Sequence, residues 1–234
     1  MSTAIRLEAR ARSWGQRNGL VAAVRVDFID RLGHLPLADA EDAVVARAAP
    51  KRRAEFRAGR HVAHLALQEL GLDAPLPRRD NGAPEWPPGV VGSISHGGGL
   101  CTALVLRNDE VSGCGVDVED AAGALEPAVA SLILTPHDKL PPVPVPARLA
   151  LSAKEAAYKS VAHLGLRAIE PRDWTVQLDV DGTFAPISAP ASVEPFVTGT
   201  RFTGFWHIQA GTIFTAAVVW RRPRQAAANP TGAL

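Results

Sequence analysis

Between Gly113 and Asp120 the sequence runs Gly-Cys-Gly-Val-Asp-Val-Glu-Asp. Its two-residue period is that of a strand with unlike faces, Cys114, Val116 and Val118 on one side and Gly115, Asp117 and Glu119 on the other. A fold built around it must bury the first face. On the second it must accommodate two like charges held side by side. A hard cation such as Mg²⁺ relieves that repulsion, because it takes oxygen ligands and leaves positions open for phosphate. A strand that ends in a solvated acidic turn relieves it too.

Composition narrows the role by exclusion. The formal net charge is +1, so no global field draws the chain to nucleic acid or to an anionic membrane. No apolar run reaches the length of a membrane span, and Met1 to Gly19 lacks the apolar core of a secretory signal. Cys101 and Cys114 lie in apolar strand-like runs and read as core residues, which makes a reducing cytoplasm the expected compartment. With 234 residues, 47% of them hydrophobic, the chain can bury a proper core as one large domain or two small ones. Histidines 34, 61, 64, 137, 163 and 207 show no zinc-ligand spacing with the cysteines. Neither a Gly-x-Ser-x-Gly elbow nor a Walker-type Gly-Lys-Ser/Thr is present.

In chain order, Leu20 to Phe28 is rich in β-branched residues and predicts a strand. Leu37 to Ala49 predicts a helix, with Asp39, Glu41 and Asp42 in its first turn. Lys51 to Gly71 predicts a longer one: Phe56, Val62, Ala63, Leu67 and Leu70 give it an apolar side, and Gly71 gives it a stop. Arg53, Arg57 and Arg60 share a face of that helix, which by itself is an ordinary solvated face. A proline-punctuated loop with an Asn81-Gly82 turn follows to Gly89. Val90-Val91 then leads into Gly-Ser-Ile-Ser-His-Gly-Gly-Gly, residues 92–99, where hydroxyls, an imidazole and free backbone N–H groups suit a phosphate oxyanion. A glycine-rich hairpin with self-bonded serines would use the same residues.

Cys101 to Leu106 and Val111 to Val118 predict strands around an Asn108-Asp109 turn, and Ala124 to Leu134 predicts a helix. Four of the six residues 141–146 are proline, so Thr135 to Pro146 is expected to be a mobile connector or flap. Arg148 to Leu164 predicts a helix with Leu149, Ala153, Ala156, Ala157, Val161 and Leu164 inward and Ser152, Glu155, Tyr158 and Lys159 outward. Glu155 and Lys159 stand four apart in the order that favours a surface ion pair. Strands are expected over Trp174 to Val180 and Thr183 to Ile187. Thr200 to Gln209 and Thr212 to Trp220 are expected to form a hairpin turned at Ala210-Gly211, ahead of a disordered tail.

Each signal is short, but their order is distinctive. Lys-Arg-Arg-Ala-Glu-Phe-Arg-Ala-Gly-Arg from residue 51, Asn-Gly-Ala-Pro-Glu-Trp from 81, the Ser-Ile-Ser-His run, Gly-Val-Asp-Val-Glu-Asp, and Ser-Ala-Lys-Glu-Ala-Ala-Tyr-Lys-Ser from 152 together resemble the phosphopantetheinyl transferases of the surfactin- and enterobactin-synthetase type. The similarity covers Lys51 to Ser160. It implies an α/β (α+β) pseudo-dimer, with residues 1–112 as one subdomain, 113–222 as the other, 223–234 as a tail, and the active site in the cleft between.

It further implies transfer of the 4′-phosphopantetheine arm of coenzyme A to a serine of an acyl or peptidyl carrier protein, as in fatty-acid, polyketide, siderophore or peptide synthesis. The by-product is adenosine 3′,5′-bisphosphate. Mg²⁺, or Mn²⁺ in its place, would lie on Asp117, Glu119 and Glu155. Lys159 and Lys154 would contact phosphate; Arg52, Arg60 and Arg78 would hold the nucleotide, with Ser95 and His96 at its 3′-phosphate. Catalysis would fall to Glu155, Lys159 and Asp117, with either Glu155 or a metal-bound water as the base. A monomer acting on acidic carriers, with no nucleic acid or membrane partner, is the corresponding expectation. Two departures stand out: Leu151 occupies a position where the family often has an aromatic, and the proline-rich stretch 141–146 replaces a helical or acidic linker. A Mg²⁺-dependent hydrolase of coenzyme A or a nucleotide, or a non-catalytic coenzyme A-binding module, would use the same residues.

Overall fold

A computed structural model describes residues 2–80, 82–162, 170–194 and 202–221. The helices are α1 (Thr3–Arg17), α2 (Ile29–Leu32), α3 (Asp39–Asp42), α4 (Pro50–Glu69), α5 (Pro127–Ile133) and α6 (Pro146–Val161). The strands are β1 (Ala22–Phe28), β2 (Val90–Gly97), β3 (Leu100–Arg107), β4 (Val111–Asp120), β5 (Thr175–Leu178), β6 (Thr183–Ser188), β7 (Phe202–Gln209) and β8 (Thr212–Trp220). They form two antiparallel sheets, ordered β1-β3-β2 and β4-β8-β7-β6-β5.

Side-chain alternation sorts the strands into layers. Val24 and Val26 of β1 and Leu104 and Leu106 of β3 face a central core, shared with Cys114, Val116 and Val118 of β4 and Phe214, Ala216 and Val218 of β8. The opposite face of the first sheet, Ala23, Cys101, Ala103 and Val105, packs on Val62, Ala66 and Leu67 of α4. The opposite face of the second, Ile213, Ala217 and Val219, packs on Leu149, Ala153 and Ala157 of α6. The mixed α/β class is therefore as expected, and each sheet carries one long helix on its outer face. In both, a strand precedes that helix, and the last strand (β3 or β8) lies between the first and another (β1 and β2, or β4 and β7).

Several elements differ from the sequence expectation. Ser2 caps α1 by accepting the Ile5 N–H at 3.4 Å, and Ala4, Leu7, Ala11 and Trp14 form a buried stripe on a helix the sequence reading did not assign. Trp14 stacks on Phe205 of β7 at 5.7 Å, so α1 reaches both sheets. The helix expected over Leu37 to Ala49 shrinks to α3 and a 3-10 turn at Ala43–Val45. Its apolar burial is confined to Val45, and Pro50 forces Ala49 into an extended conformation, ψ 150°. Helix α5 is shorter than expected because Pro127 starts it.

The stretch from Thr135 is not a free flap. Asp138 accepts the N–H groups of Thr135 and Val176, both at 2.8 Å, and Lys139 pairs with Gln177 beside β5. The end of the expected helix at Leu164, the start of the hairpin at Thr200, His163, Asn81 of the expected turn and the 223–234 tail lie outside the described residues. No helix among those described is long and apolar enough to cross a membrane.

The second sheet meets α6 at Gly115. A Cβ there would fall 1.9 Å from the Ala156 carbonyl oxygen and 2.8 Å from the Ser160 nitrogen, both backbone atoms. Gly115→Ala is expected to cost about 1–3 kcal/mol or more, the range for overpacking a tight interior. Denaturant midpoints of the two proteins, at equal slope, measure it.

Candidate active site

Ser93 and Ser95 are two apart on β2 and so share a face, which turns toward β4. Ser93 Oγ accepts the Val116 N–H at 3.1 Å, and Ser95 Oγ donates to Asp117 Oδ1 at 2.8 Å. These side chains join the two sheets at a seam where no ladder pairs them. Gly97 lets the strands approach, since a Cβ on it would lie 2.2 Å from the Val118 carbonyl oxygen. From α6, Lys159 Nζ donates to Asp117 Oδ1 at 2.7 Å and to Ser95 Oγ at 3.1 Å. Ser152 Oγ donates to Asp117 Oδ2 at 2.8 Å, while its carbonyl accepts from Thr215 of β8. Asp117, 3% exposed, thus ties β2, β4 and α6 together.

Ser152 was legible only as a polar neighbour of Glu155 and Lys159. Its spacing to them, three and seven residues, puts all three on one stripe that the fold turns inward.

Glu119 and Glu155 flank this hub and are half-buried. Burial raises the carboxyl pKa of both above its ordinary value, and the negative charge of Asp117 adds to the rise. Lys159 acts the other way on both, and Arg148 does so on Glu119. Among the described residues neither carboxylate has a hydrogen-bond or salt-bridge partner. Nor does any group of three or more His, Cys, Asp and Glu side chains among those residues stand ready to hold a metal. Asp117 is turned to Lys159, Ser95 and Ser152 instead. The three carboxylates fit a hard cation in chemistry, as excess negative charge on oxygen donors, but they form no closed cage. Mg²⁺ would draw its remaining ligands from phosphate and water.

A second centre lies on the first sheet's side of the seam. Arg52, Arg60 and Arg78 line one cavity of about 280 Å³ with Phe56, Gly59 and Ile94. Arg60 is 3% exposed, its guanidinium 5.0 Å from the Phe56 ring centre, and its Nη1 has no partner among the described residues. Burial pushes its pKa down; the negative charge of Glu41 opposes this and the positive charge of Arg78 adds to it. An arginine so placed suits an anion. At the rim, His96 Nε2 lies 3.0 Å from Arg52 Nη1 and accepts from it. Burial first, then the charges of Arg52 and Lys159, lower the His96 pKa, which keeps the ring neutral. A longer cavity of about 590 Å³ shares Gly82, Pro84 and Ile94 with the first and runs along the seam past Trp86, Tyr158 and Lys159.

Two expected ligand contacts are placed otherwise. Lys154 is fully buried: its Nζ donates to the Ile133 carbonyl at 2.7 Å and to Asp138 at 2.6 Å, so it anchors the stretch after α5 and cannot meet a phosphate. Ser95 gives its hydroxyl hydrogen to Asp117, so its work is at the seam. Leu151, the departure from the usual aromatic, is half-buried.

Residues 40–106 match the family model of the 4′-phosphopantetheinyl transferase N-terminal domain. The chain is 33% identical over 205 residues to the 4′-phosphopantetheinyl transferase PptT of Mycobacterium tuberculosis (strain ATCC 25618 / H37Rv), covering 82% of this chain and 89% of that protein. It belongs to the 4′-phosphopantetheinyl transferases. Other relatives are the 4′-phosphopantetheinyl transferase Svp of Streptomyces mobaraensis, 36% identical over 193 residues with 76% of this chain and 77% of that protein covered, and enterobactin synthase component D of Escherichia coli (strain K12), 35% identical over 117 residues with 47% and 55% covered. The matched model spans α3 to β3, the elements that line the arginine-lined cavity.

The raised carboxyls make a prediction about the free transferase. In the folded chain Glu155 and Glu119 bind a proton more tightly than the ordinary value of 4.5, so ionising them costs folding free energy. That cost is absent below the unfolded value, grows as pH rises through the raised folded value, and is complete above it. Glu155→Gln and Glu119→Gln are therefore expected to melt at higher temperature than the parent at neutral pH. The advantage should vanish as pH falls toward 4.5, as melting curves across pH would show.

Proposed function

We propose that the chain transfers the 4′-phosphopantetheine arm of coenzyme A to the serine hydroxyl of an apo acyl or peptidyl carrier protein, releasing adenosine 3′,5′-bisphosphate and holo-carrier. The observation that carries this is the junction of two unlike features: a cavity holding a buried arginine whose Nη1 has no partner among the described residues, and a larger cavity lined by Lys159 that adjoins it. Arginine forks suit the phosphates of a nucleotide. The wall the cavities share, Gly82, Pro84 and Ile94, allows one elongated molecule to occupy both. Residues 1–112 and 113–222 are taken as the halves of a pseudo-dimer, an assignment supported by the repeated strand order, with the reaction in the cleft between them.

Phosphoryl transfer needs positioning and charge neutralisation more than covalent help. Arg52, Arg60 and Arg78 would hold the nucleotide. With His96 Nε2 occupied by Arg52, the proton sits on the other ring nitrogen, which can donate to the 3′-phosphate. Lys159, aligned by Asp117 and Ser95, would stabilise charge on the leaving phosphate. The serine oxygen bonds to the phosphorus that carries the pantetheine, and the bond from that phosphorus to the bridging oxygen breaks. The electron pair leaves on adenosine 3′,5′-bisphosphate, and the serine proton goes to Glu155 as general base. Mg²⁺ on Asp117, Glu119 and Glu155 would supply neutralisation of the pyrophosphate oxygens.

Incubation with Mg²⁺, coenzyme A and a panel of apo-carriers is expected to add the mass of one phosphopantetheine to at least one carrier. No gain on several carriers would overturn the assignment, and release of free phosphopantetheine from coenzyme A alone would make the chain a hydrolase. Glu155→Gln should lower kcat by roughly 10²–10⁴, the usual contribution of a general base, with an unchanged circular dichroism spectrum.

A further inference from the structure

We propose that Glu41 is a positioning residue for coenzyme A, holding two walls of the arginine-lined cavity together so that Arg60 and Arg78 face one anion. The proposal rests on the nucleotide assignment made above. Three acidic residues stand in α3, where the helix dipole alone would account for them. Glu41 is set apart because it is 5% exposed, a placement that an unpartnered carboxylate does not tolerate.

Its partners come from two directions. His64 Nε2 lies 2.9 and 3.1 Å from its two oxygens, and the Leu76 N–H donates to it at 2.9 Å. His64 is four residues beyond Arg60 and so lies on the same side of α4, one turn on. Leu76 is two residues before Arg78, on the loop that carries it. One carboxylate therefore fixes α3, the arginine helix and the arginine loop relative to one another. It is also the negative charge that favours the ionised form of the buried Arg60, against Arg78. Beside it, Asp42 accepts from Arg57 at 2.7 and 2.5 Å, securing the same turn to α4 from outside. The residues that follow this turn, Val44, Val45 and Ala48, form another wall of the cavity.

Glu41→Gln keeps the size and one acceptor oxygen but removes the charge. The KM for coenzyme A is expected to rise about tenfold, the loss of one charge-assisted contact, while kcat and the KM for apo-carrier stay within about twofold. Calorimetry should show adenosine 3′,5′-bisphosphate binding about tenfold more weakly. A purely structural role would lower the melting temperature without this split, and unchanged or tighter nucleotide binding would overturn the proposal. If Glu41→Gln does not fold, His64→Ala decides in the same assays: an increase of about threefold in the KM for coenzyme A alone supports the role, and no change removes it. Failure of the unaltered protein to bind adenosine 3′,5′-bisphosphate would instead overturn the nucleotide assignment itself.

Discussion

The buried carboxylate of Asp117 is the contact on which the site depends. It accepts from Ser95 of one sheet and from Ser152 and Lys159 of the helix on the other, and it projects from the strand between them. An aspartate in so dry a place needs its oxygens satisfied, and each of these donors is thereby drawn to a fixed position. The same bonds that hold the seam closed also aim the lysine. Structure and chemistry are not separable at this residue.

Around that hub the charge is deliberately unbalanced in opposite senses. On one side Glu119 and Glu155 carry negative charge that burial disfavours; on the other, Arg60 carries positive charge with a nitrogen that has no partner among the described residues. Each is a cost to the free fold that a ligand of the right sign removes. On the proposed assignment an anion would answer the arginines and a cation the carboxylates, and a magnesium–nucleotide pyrophosphate would supply both. On that assignment stability is given up where a ligand would supply the opposite charge, as is general for preorganised sites.

Much of this was legible in the residues. The alternation at 113–120 correctly divided Cys114, Val116 and Val118 from Gly115 and Asp117, because a strand between two packed layers obeys a strict two-residue period. Helices α4 and α6 and most strands followed from periodicity. What was not legible depended on contacts distant in sequence. Lys154 looks like a phosphate ligand beside Glu155 until Asp138, sixteen residues earlier, is seen to hold it in the interior. Ser95 looks free until β4 is placed beside it. Helix α1 had local signals, a serine cap and an apolar stripe ending in Trp14, but the partner that holds that tryptophan, Phe205, lies near the other end of the chain.

The stacking of Trp14 on Phe205 bears on the order in which the molecule can be made. The first helix leaves the ribosome almost two hundred residues before the strand it leans on, and β4, with Asp117, waits for β8 at the very end. The half that precedes β4 can form its own sheet and cover it with α4 while synthesis continues, as early segments generally do. The apolar stripe of α1 can meet β1 early, and β4 can meet β2, β3 and α6, but the stacking partner of Trp14 and the ladder partner of β4 come last. Completion of the final hairpin therefore does two things at once: it covers Trp14 and gives β4 its ladder partner. A chain cut short before β7 would leave Trp14 without Phe205 and β4, which carries Asp117, without the strand that sets its register.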